Sequence, residues 1–315
     1  MMFDAMVIGG SFAGLSAAMQ LGRARRDVLV IDAGLNRNRF AHAANGLLGH
    51  DGKSPAVILA TARAELLKSP TVQRREATVV SAGKDEMGFV VGTNTGETYR
   101  AHRLVLGIGI TDRLPQIPGL AEHWGRSVFH CPYCHGFELA DRRLGSIVPT
   151  VEAVQHMQML RDWSDDVTIF TNGLEVDPAS VSGVRIETRP IAKVVGNDVG
   201  VEQVELVDGT LIPIDAIHVV SSGDPVGDIA QQLGCELVES PMGLRIKVSE
   251  RFETSVPGVC AAGDAARGAG NLALAIADGS MAGSMTHQSL LFDPGIPKKV
   301  RTSVTKRSGA SVAAK

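Results

Sequence analysis

The residues best suited to chemistry form the segment Cys131-Pro132-Tyr133-Cys134-His135. Two thiols separated by two residues can close and reopen a disulfide, which takes up or releases two electrons. A proline directly after the first cysteine suits the first turn of a helix. A cysteine at a helix N-terminus has its thiolate stabilised, which lowers the pKa of the thiol. The segment therefore predicts a redox-active dithiol with Cys131 and Cys134 as catalytic residues.

The histidine after the second cysteine is a candidate proton carrier. Near neutral pH the imidazole of His135 can take or give a proton, and when protonated it stabilises a neighbouring thiolate. Three rival roles for the motif stay open: a metal site with His130 and His135, a c-type haem attachment, and inert buried cysteines. A zinc site would need a second pair of cysteine ligands, but Cys235 and Cys260 lie far apart in sequence. Haem attachment normally accompanies export, so this role is disfavoured as well. We therefore predict no metal site at the motif.

The composition argues against some classes of function. Of 315 residues, 44% are apolar and the formal net charge is −3, so nothing favours nucleic acid or an anionic membrane as a partner. No apolar run approaches the roughly 20 residues of a membrane helix. Residues 1–4 lead straight into an apolar strand without a signal peptide. We therefore expect a cytoplasmic protein, in which a cysteine pair is more often catalytic or metal-binding than structural.

A glycine-rich turn lies near the N-terminus. Residues 5–8 form an apolar strand, residues 9–14 read Gly-Gly-Ser-Phe-Ala-Gly, and a helical pattern leads to a second apolar strand ending at Asp32. In a dinucleotide-binding turn the first glycine allows the bend, the second lets the backbone approach the pyrophosphate, and the third lets helix and strand pack closely. Gly9 and Gly14 fit the first and third positions and Ser11 takes the second, while Asp32 stands where an acid binds ribose hydroxyls. This pattern predicts a dinucleotide site.

Three segments together resemble the low-molecular-weight thioredoxin reductase family of flavoproteins: VIGGSFAGLSAA at 7–18, CPYCHGF at 131–137 and AAGDA at 261–265. The resemblance extends to about residue 291. It implies FAD as the cofactor and a homodimer. It also implies that Cys134 faces the flavin while Cys131 exchanges with substrate, and that His135 stands where these reductases usually carry a proton-handling aspartate.

The same resemblance implies which residues hold the cofactor. Asp264, after Gly263, would lie near the flavin ribityl chain and pyrophosphate. The segment 37–40, with Arg39, would run along the cofactor, and Asp51 would lie near the ring system. The implied cofactor-binding residues are Gly9, Ser11, Ala13, Gly14, Asp32, Arg39, Asp51, Gly263 and Asp264.

The chain is predicted to form two α/β units, the first interrupted by the second. Strands are predicted at 28–32, 98–102 and 103–109, a second α/β unit begins at 144, and a small-residue helix at 271–291 returns to the first unit. We therefore predict two Rossmann-like, doubly wound, three-layer domains. Their expected bounds are 1–114 and 242–297 for the FAD-binding domain, 115–241 for the inserted NAD(P)-type domain with the cysteine pair, and 298–315 for a disordered basic tail.

The second unit lacks the signature of a nicotinamide site. After its first strand the three glycine positions fall on Val148, Thr150 and Ala153. A β-branched residue fits poorly into the glycine bend, and Glu152 puts a negative charge where the pyrophosphate would sit. The next strand ends without a ribose-binding acid or the family's basic cluster. We therefore predict inefficient use of NAD(P)H, the alternative being a rebuilt, weaker site at 172–177.

The predicted function is an FAD-dependent dithiol/disulfide oxidoreductase that cycles the Cys131–Cys134 disulfide against the flavin without NAD(P)H. Natural-product dithiol oxidases and nicotinamide-independent thioredoxin reductases share that loss. This resemblance implies oxygen or ferredoxin as electron partner, and a small dithiol or disulfide or a thioredoxin-like protein as substrate. The residues leave the direction open. A conventional NADPH-dependent reductase and a flavin-binding regulatory protein with inactive cysteines remain alternatives.

Overall fold

The computed structural model describes residues 1–177, 181–268 and 270–296, which form two α/β units. The described helices, numbered along the chain, are α1 (Phe12–Arg23), α2 (Pro55–Leu66), α3 (Pro132–His135), α4 (Val151–Met157), α5 (Ile229–Gln232) and α6 (Leu272–Phe292). The described strands are β1 (Met2–Ile8), β2 (Val28–Asp32), β3 (Val72–Glu76), β4 (Val79–Asp85), β5 (Gly88–Thr93), β6 (Thr98–Leu106), β7 (Ile110–Arg113), β8 (Val128–Phe129), β9 (Leu144–Ile147), β10 (Val167–Phe170), β11 (Arg185–Glu187), β12 (Ile191–Gly196), β13 (Val201–Leu206), β14 (Leu211–Pro213), β15 (Ala216–Val219), β16 (Ser222–Pro225), β17 (Leu237–Ser240), β18 (Gly243–Ile246) and β19 (Val259–Ala261).

The first unit is built on a seven-stranded sheet of order β3-β2-β1-β6-β5-β4, in which β19 also pairs with β6. Strands β1, β2, β3, β6 and β19 run parallel, whereas β4 and β5 form an antiparallel extension. β2 is buried at all five residues because both faces of a parallel sheet are covered. The predicted strand at 28–32 is confirmed, and the two strands predicted between 98 and 109 are the single strand β6.

The second unit contains a five-stranded parallel sheet of order β11-β10-β9-β15-β8. One face packs against α4 and the turn after it, with Val154 and Leu160 in the core. The other face packs against the antiparallel sheet β12-β13-β14, which contributes Val194 and Val204. The unit therefore has the three layers that the sequence predicted, but an antiparallel sheet covers the face that a doubly wound fold would cover with helices.

Two short strands connect the units. β7 leaves the first unit and pairs antiparallel with β16, which follows the last strand of the second sheet. After β16 the chain packs on the first unit again, with Ile229, Ala230 and Cys235 in the same core cluster as Phe3 and Leu106. We therefore propose that the chain returns to the first unit near residue 222 rather than at 242. The predicted basic tail at 298–315 lies outside the described residues.

Helices α1 and α6 pack backbone to backbone beside the first sheet. A Cβ built on Gly279 of α6 would overlap the carbonyl oxygen of Ala13, and one on Gly283 would overlap that of Ala17. The small residues predicted in the last helix therefore serve close helix packing. Within the described ranges, no helix is long and apolar enough to cross a membrane.

We expect Gly279→Ala to destabilise the protein by about 2 kcal/mol, although alanine alone favours a helix, because the methyl group forces α6 away from α1. The measurement is urea unfolding of the purified variant. Gly83→Ala is the control, since a Cβ there meets nothing within 4 Å. A Gly279→Ala variant as stable as the control would show that the two helices can separate without loss.

Candidate active site

The turn between β1 and α1 admits only glycine at two positions. Gly9 has φ +99°, and a Cβ on it would overlap the carbonyl oxygen of Gly107. A Cβ on Gly14 would overlap the carbonyl oxygen of Gly9. These contacts let α1 begin close against β1, which is the role of the first and third glycines in a dinucleotide-binding turn.

Ser11 takes the second position of the turn without strain. It is the N-cap of α1 with φ −93° and ψ −163°, an extended backbone that any residue adopts. Ser11, Phe12 and Ala13 line a cavity at this helix N-terminus. There the first N–H groups have no partner within the helix and the dipole favours an anion. The turn therefore fits the pyrophosphate of a dinucleotide such as FAD.

The segment after β19 lines the same cavity, as the sequence predicted. Gly263 and Asp264 both line it. Gly263 has φ +72°, and a Cβ on it would lie 2.8 Å from the Cβ of Ala13. The two predicted cofactor-binding segments therefore meet at a contact that leaves no room for a larger residue.

Arg37 is a cavity residue that sequence reasoning did not single out. Its Nε donates to Asp112 at 2.8 Å and its Nη1 donates to Asp264 at 3.1 Å. Burial alone would lower the pKa of Arg37, but the two carboxylates raise it. A charged guanidinium therefore lies in the cavity wall between a residue of the first unit and one of the connecting strands. No local signal indicates this contact, because Asp112 lies 75 positions away.

Arg39, the predicted cofactor residue of this segment, points elsewhere. Its guanidinium donates to the carbonyl of Asn36 at 3.0 Å and lies 4.2 Å from the centre of the Phe40 ring. Among the described residues that line the cavity, Arg37 is present and Arg39 is not. The geometry therefore favours Arg37 over Arg39 for a cofactor contact.

Asp51 is likewise outside the cavity wall formed by the described residues. It is exposed, and its carboxylate accepts the Gly46 N–H at 2.7 Å. In the loop that Asp51 holds, Asn45 does line the cavity, and its Nδ2 donates to the carbonyl of Cys134 at 2.9 Å. Asp51 shapes the loop, and the amide of Asn45 contacts the backbone of Cys134.

Asp32 lies directly below the turn and is held by two arginines. Its carboxylate accepts from Arg63 and Arg74 at 3.0 Å each and from the Gly34 N–H at 3.0 Å. Burial would raise the pKa of Asp32, but these donors hold it below the usual value. The predicted bond to a ribose hydroxyl stays a prediction, because Asp32 is not among the described residues that line the cavity.

Cys131 and Cys134 form a disulfide at the start of α3. Cys131 is the N-cap of this short helix and Pro132 its first residue, as the sequence predicted, and the Cys134 N–H donates to Cys131 Sγ at 3.2 Å. Both cysteines line the cavity that the dinucleotide turn also lines. The fold therefore brings a redox-active pair and a cofactor turn, more than 100 positions apart in sequence, to one cavity.

His135 lies at the other end of α3 against an aromatic ring. It stacks on Phe129 with ring centres 3.9 Å apart, and burial lowers its pKa. Behind Phe129 lies His218, which is fully buried and has a pKa lowered to about 3 by burial and by the neighbouring histidines. His135 is therefore a neutral base near pH 7, and a catalytic role for it stays a prediction.

In the second unit, the glycine-poor turn before α4 blocks the N-terminus of that helix. Thr150 is the N-cap of α4, and its Oγ1 accepts the Ala153 N–H at 3.3 Å. Glu152 has a lowered pKa because it bonds its own backbone N–H and the Thr150 side chain. Val148 is buried in the core behind the turn. Side chains of the helix therefore occupy the N–H groups that would otherwise bind a phosphate.

The strand end that would bind a nicotinamide ribose is also occupied. After β10, the Thr171 hydroxyl donates to the carbonyl of Leu174 at 2.7 Å, and Asn172 Oδ1 accepts the Ile191 N–H at 2.8 Å. Beyond β11, Arg189 is paired with Glu187 and Asp208 at 2.7 Å each. The side chains of this edge are therefore bonded to neighbouring backbone groups or to each other. The alternative site at 172–177 gains no basic residue from them.

The other two cysteines are isolated. Cys235 and Cys260 are buried, and burial raises the pKa of both thiols. Across residues 1–177, 181–268 and 270–296, no three His, Cys, Asp or Glu side chains are grouped closely enough to hold a metal ion. The chain therefore has one reactive pair and two sheltered thiols.

After reduction of the native protein, we expect iodoacetamide to modify Cys131 and Cys134 and to spare Cys235 and Cys260, because the thiolate is the reacting form. Peptide mass spectrometry measures the modification at each cysteine. Unfolding in urea is the control and should expose all four cysteines. Rapid modification of Cys235 or Cys260 in the folded protein would contradict this assignment.

Comparison with known proteins agrees with this geometry. The model of the pyridine nucleotide-disulphide oxidoreductase family matches residues 3–159. The chain is 33% identical over 307 residues to thioredoxin reductase sirT of Leptosphaeria maculans, covering 90% of this chain and 92% of that protein. A solved oxidoreductase from Agrobacterium tumefaciens is similar with TM-score 0.88 and 44% identity, covering 93% of this chain and 99% of that one. TrxB from Bacillus anthracis is similar with TM-score 0.86 and 31% identity, covering 92% and 98%. With its cysteine pair and dinucleotide turn at one cavity, the chain belongs to the thioredoxin reductase-like oxidoreductases of the pyridine nucleotide-disulphide family.

Proposed function

We propose that this protein is an FAD-dependent dithiol/disulfide oxidoreductase that passes electrons between a substrate, the Cys131–Cys134 pair and the flavin. The observation that carries the proposal is the single cavity lined by Ser11 and Ala13 of the dinucleotide turn and by both cysteines. A dinucleotide anchored at that turn occupies the cavity that the disulfide also lines. The fold of the family and the fit of the turn to a pyrophosphate support FAD as that dinucleotide.

Bound FAD supplies a partner that accepts or gives two electrons. The residues of the chain do the remaining work. Cys131, the N-cap of α3, exchanges with the substrate, and Cys134, whose carbonyl is held by Asn45, faces the flavin. His135, kept neutral by burial against Phe129, takes the proton that a thiol loses on the flavin side.

We further propose that NAD(P)H is not the electron partner. The support is local: at the N-terminus of α4, Thr150 accepts the Ala153 N–H and the Glu152 carboxylate bonds its own N–H. A pyrophosphate would have to displace both and approach a negative charge. The names of relatives such as thioredoxin reductase sirT favour a thioredoxin reductase as the second candidate, and its conventional form would use NADPH.

The partners follow from the chemistry of the pair. In its dithiol form the pair can reduce a small disulfide or a thioredoxin-like protein. In its disulfide form the pair can oxidise a substrate dithiol, and bound FAD would then supply the electron transfer to oxygen. Ferredoxin is the alternative electron donor for the reducing direction. We favour dithiol oxidation by oxygen over NADPH-dependent reduction, because it needs no second nucleotide site, and the experiment below separates it from reduction by ferredoxin. The homodimer and the cytoplasmic location predicted from the sequence stay predictions.

Anaerobic flavin reduction tests the proposal. The purified holoprotein is mixed in turn with dithiothreitol, NADPH, NADH and reduced ferredoxin while flavin absorbance is followed. We expect dithiothreitol to bleach the flavin and both nicotinamides to leave it oxidised over the same period. Recovery of the absorbance in air would then support the oxidase direction, whereas bleaching by ferredoxin alone would support the reducing direction.

Cys134→Ser is the matched variant for this measurement. It removes the flavin-facing sulfur, so dithiothreitol should no longer bleach the flavin although the protein still binds it. Bleaching of the flavin in the unaltered protein by NADPH at catalytic rates would contradict the proposed nicotinamide independence. Unchanged dithiol bleaching in Cys134→Ser would show that the cysteines do not cycle.

A further inference from the structure

His130 stands between the dithiol and a buried polar network. It directly precedes Cys131 and lines the cavity that both cysteines line. It also lines a second cavity of about 10 Å³, with Ser221, Arg37 and Asp264. This is about the room that one water needs, and the walls offer it polar partners. His130 therefore connects the redox cavity to a polar site at the junction of the two units.

The hydrogen bonds around His130 determine its tautomer. Arg37 donates to both carboxylate oxygens of Asp112, and the Ser221 hydroxyl donates to Asp112 Oδ1 at 3.4 Å. A hydroxyl has one proton, and the ionised carboxylate only accepts. With that proton on Asp112, Ser221 Oγ accepts from Nδ1 of His130, 3.2 Å away, and this is the tautomer that we assign. The hydrogen on Nδ1 leaves Nε2 as the basic nitrogen of the ring.

Burial keeps His130 neutral near pH 7. It is the largest cause of the lowered pKa of His130, the positive charge of Arg37 lowers this pKa further, and the carboxylates of Asp112 and Asp264 oppose both effects. His218 on β15 interacts with it electrostatically, and Arg267 lines the small cavity beside it. An imidazole in this state can accept a proton on Nε2 and give it back.

We propose that His130 is a second acid–base residue of the redox site and carries the proton for Cys131, held in place by Ser221 and Asp112. The proposal rests on the dithiol oxidation proposed above. It separates two tasks: His135 serves the flavin-facing sulfur, and His130 serves the sulfur that meets the substrate.

The proton and electron balance closes with the substrate and these side chains alone. A substrate thiolate attacks Cys131 Sγ, the Cys131–Cys134 bond breaks, and its electron pair stays on Cys134. The second substrate thiol gives its proton to Nε2 of His130 and its sulfur attacks the first substrate sulfur, so the bond to Cys131 breaks with the electron pair on Cys131. Nε2 then gives the proton to Cys131. The products are a substrate disulfide, the Cys131 thiol and the Cys134 thiolate.

The pH dependence of Cys131 alkylation tests this role. In a Cys134→Ser background Cys131 is the one thiol left in the cavity, and its rate of reaction with iodoacetamide is measured by mass spectrometry across a pH series. We expect His130→Gln to lower the alkylation rate about tenfold at pH values below the midpoint, where Nε2 can take the thiol proton and leave the reactive thiolate, and to leave the rate above the midpoint unchanged. Ser221→Ala should lower the same part of the profile by less, because it frees the ring without removing it.

His156→Gln is the control, since this histidine is exposed on α4, and its profile should match that of the background. Profiles of His130→Gln and Ser221→Ala that both coincide with the background would overturn the proposal. If His130→Gln does not fold, the Ser221→Ala profile alone decides. Alkylation reports on the thiol whichever donor reduces the flavin, so a negative result here leaves the proposed function standing. Bleaching by NADPH would overturn that function without touching this result.

Discussion

The close approach of α1 to its surroundings is the constraint on which the rest of the structure depends. Gly9 and Gly14 let the helix start against β1, and Gly279 lets α6 pack onto its other side. With any side chain at these positions the helix N-terminus would move, and the anion site with it. The lack of side chains at these glycines thus sets the position of the predicted cofactor end of the cavity. The residues that line this end are positioned by the close packing of α1.

The dithiol reaches the same cavity through contacts between the units. The paired strands β7 and β16 form the connection, Arg37 ties Asp112 of that connection to Asp264 of the first unit, and Asn45 holds the carbonyl of Cys134. Each of these contacts is a hydrogen bond or an ion pair, so directional bonds help to hold the junction. Such bonds fix distance and orientation, which two-electron transfer between a disulfide and a cofactor requires.

The sequence predicted the features that depend on local pattern and missed those that depend on distant partners. The buried strand β2 and the small-residue helix α6 follow from periodicity and composition. The edge strand β3 was not predicted, since it is polar and half-exposed and has no apolar run to mark it. Glycines and cysteines of the site were readable from spacing, whereas Arg37 was not, because its partners lie far away in the chain. Arg39 and Asp51 were predicted from the family resemblance, but neither is among the described residues that line the cavity.

The burial of Cys235 and Cys260 has a consequence for the lifetime of the protein. If electrons leave the flavin for oxygen, peroxide forms within the molecule, and thiolates are the groups that it oxidises. The two sheltered thiols stay protonated, so they are poor targets. At the cavity, a sulfenic acid on Cys131 or Cys134 has the other sulfur as a neighbour and condenses to the disulfide. If the proposed oxidase direction holds, oxidative damage would therefore fall on the one pair whose disulfide the proposed cycle reduces and re-forms.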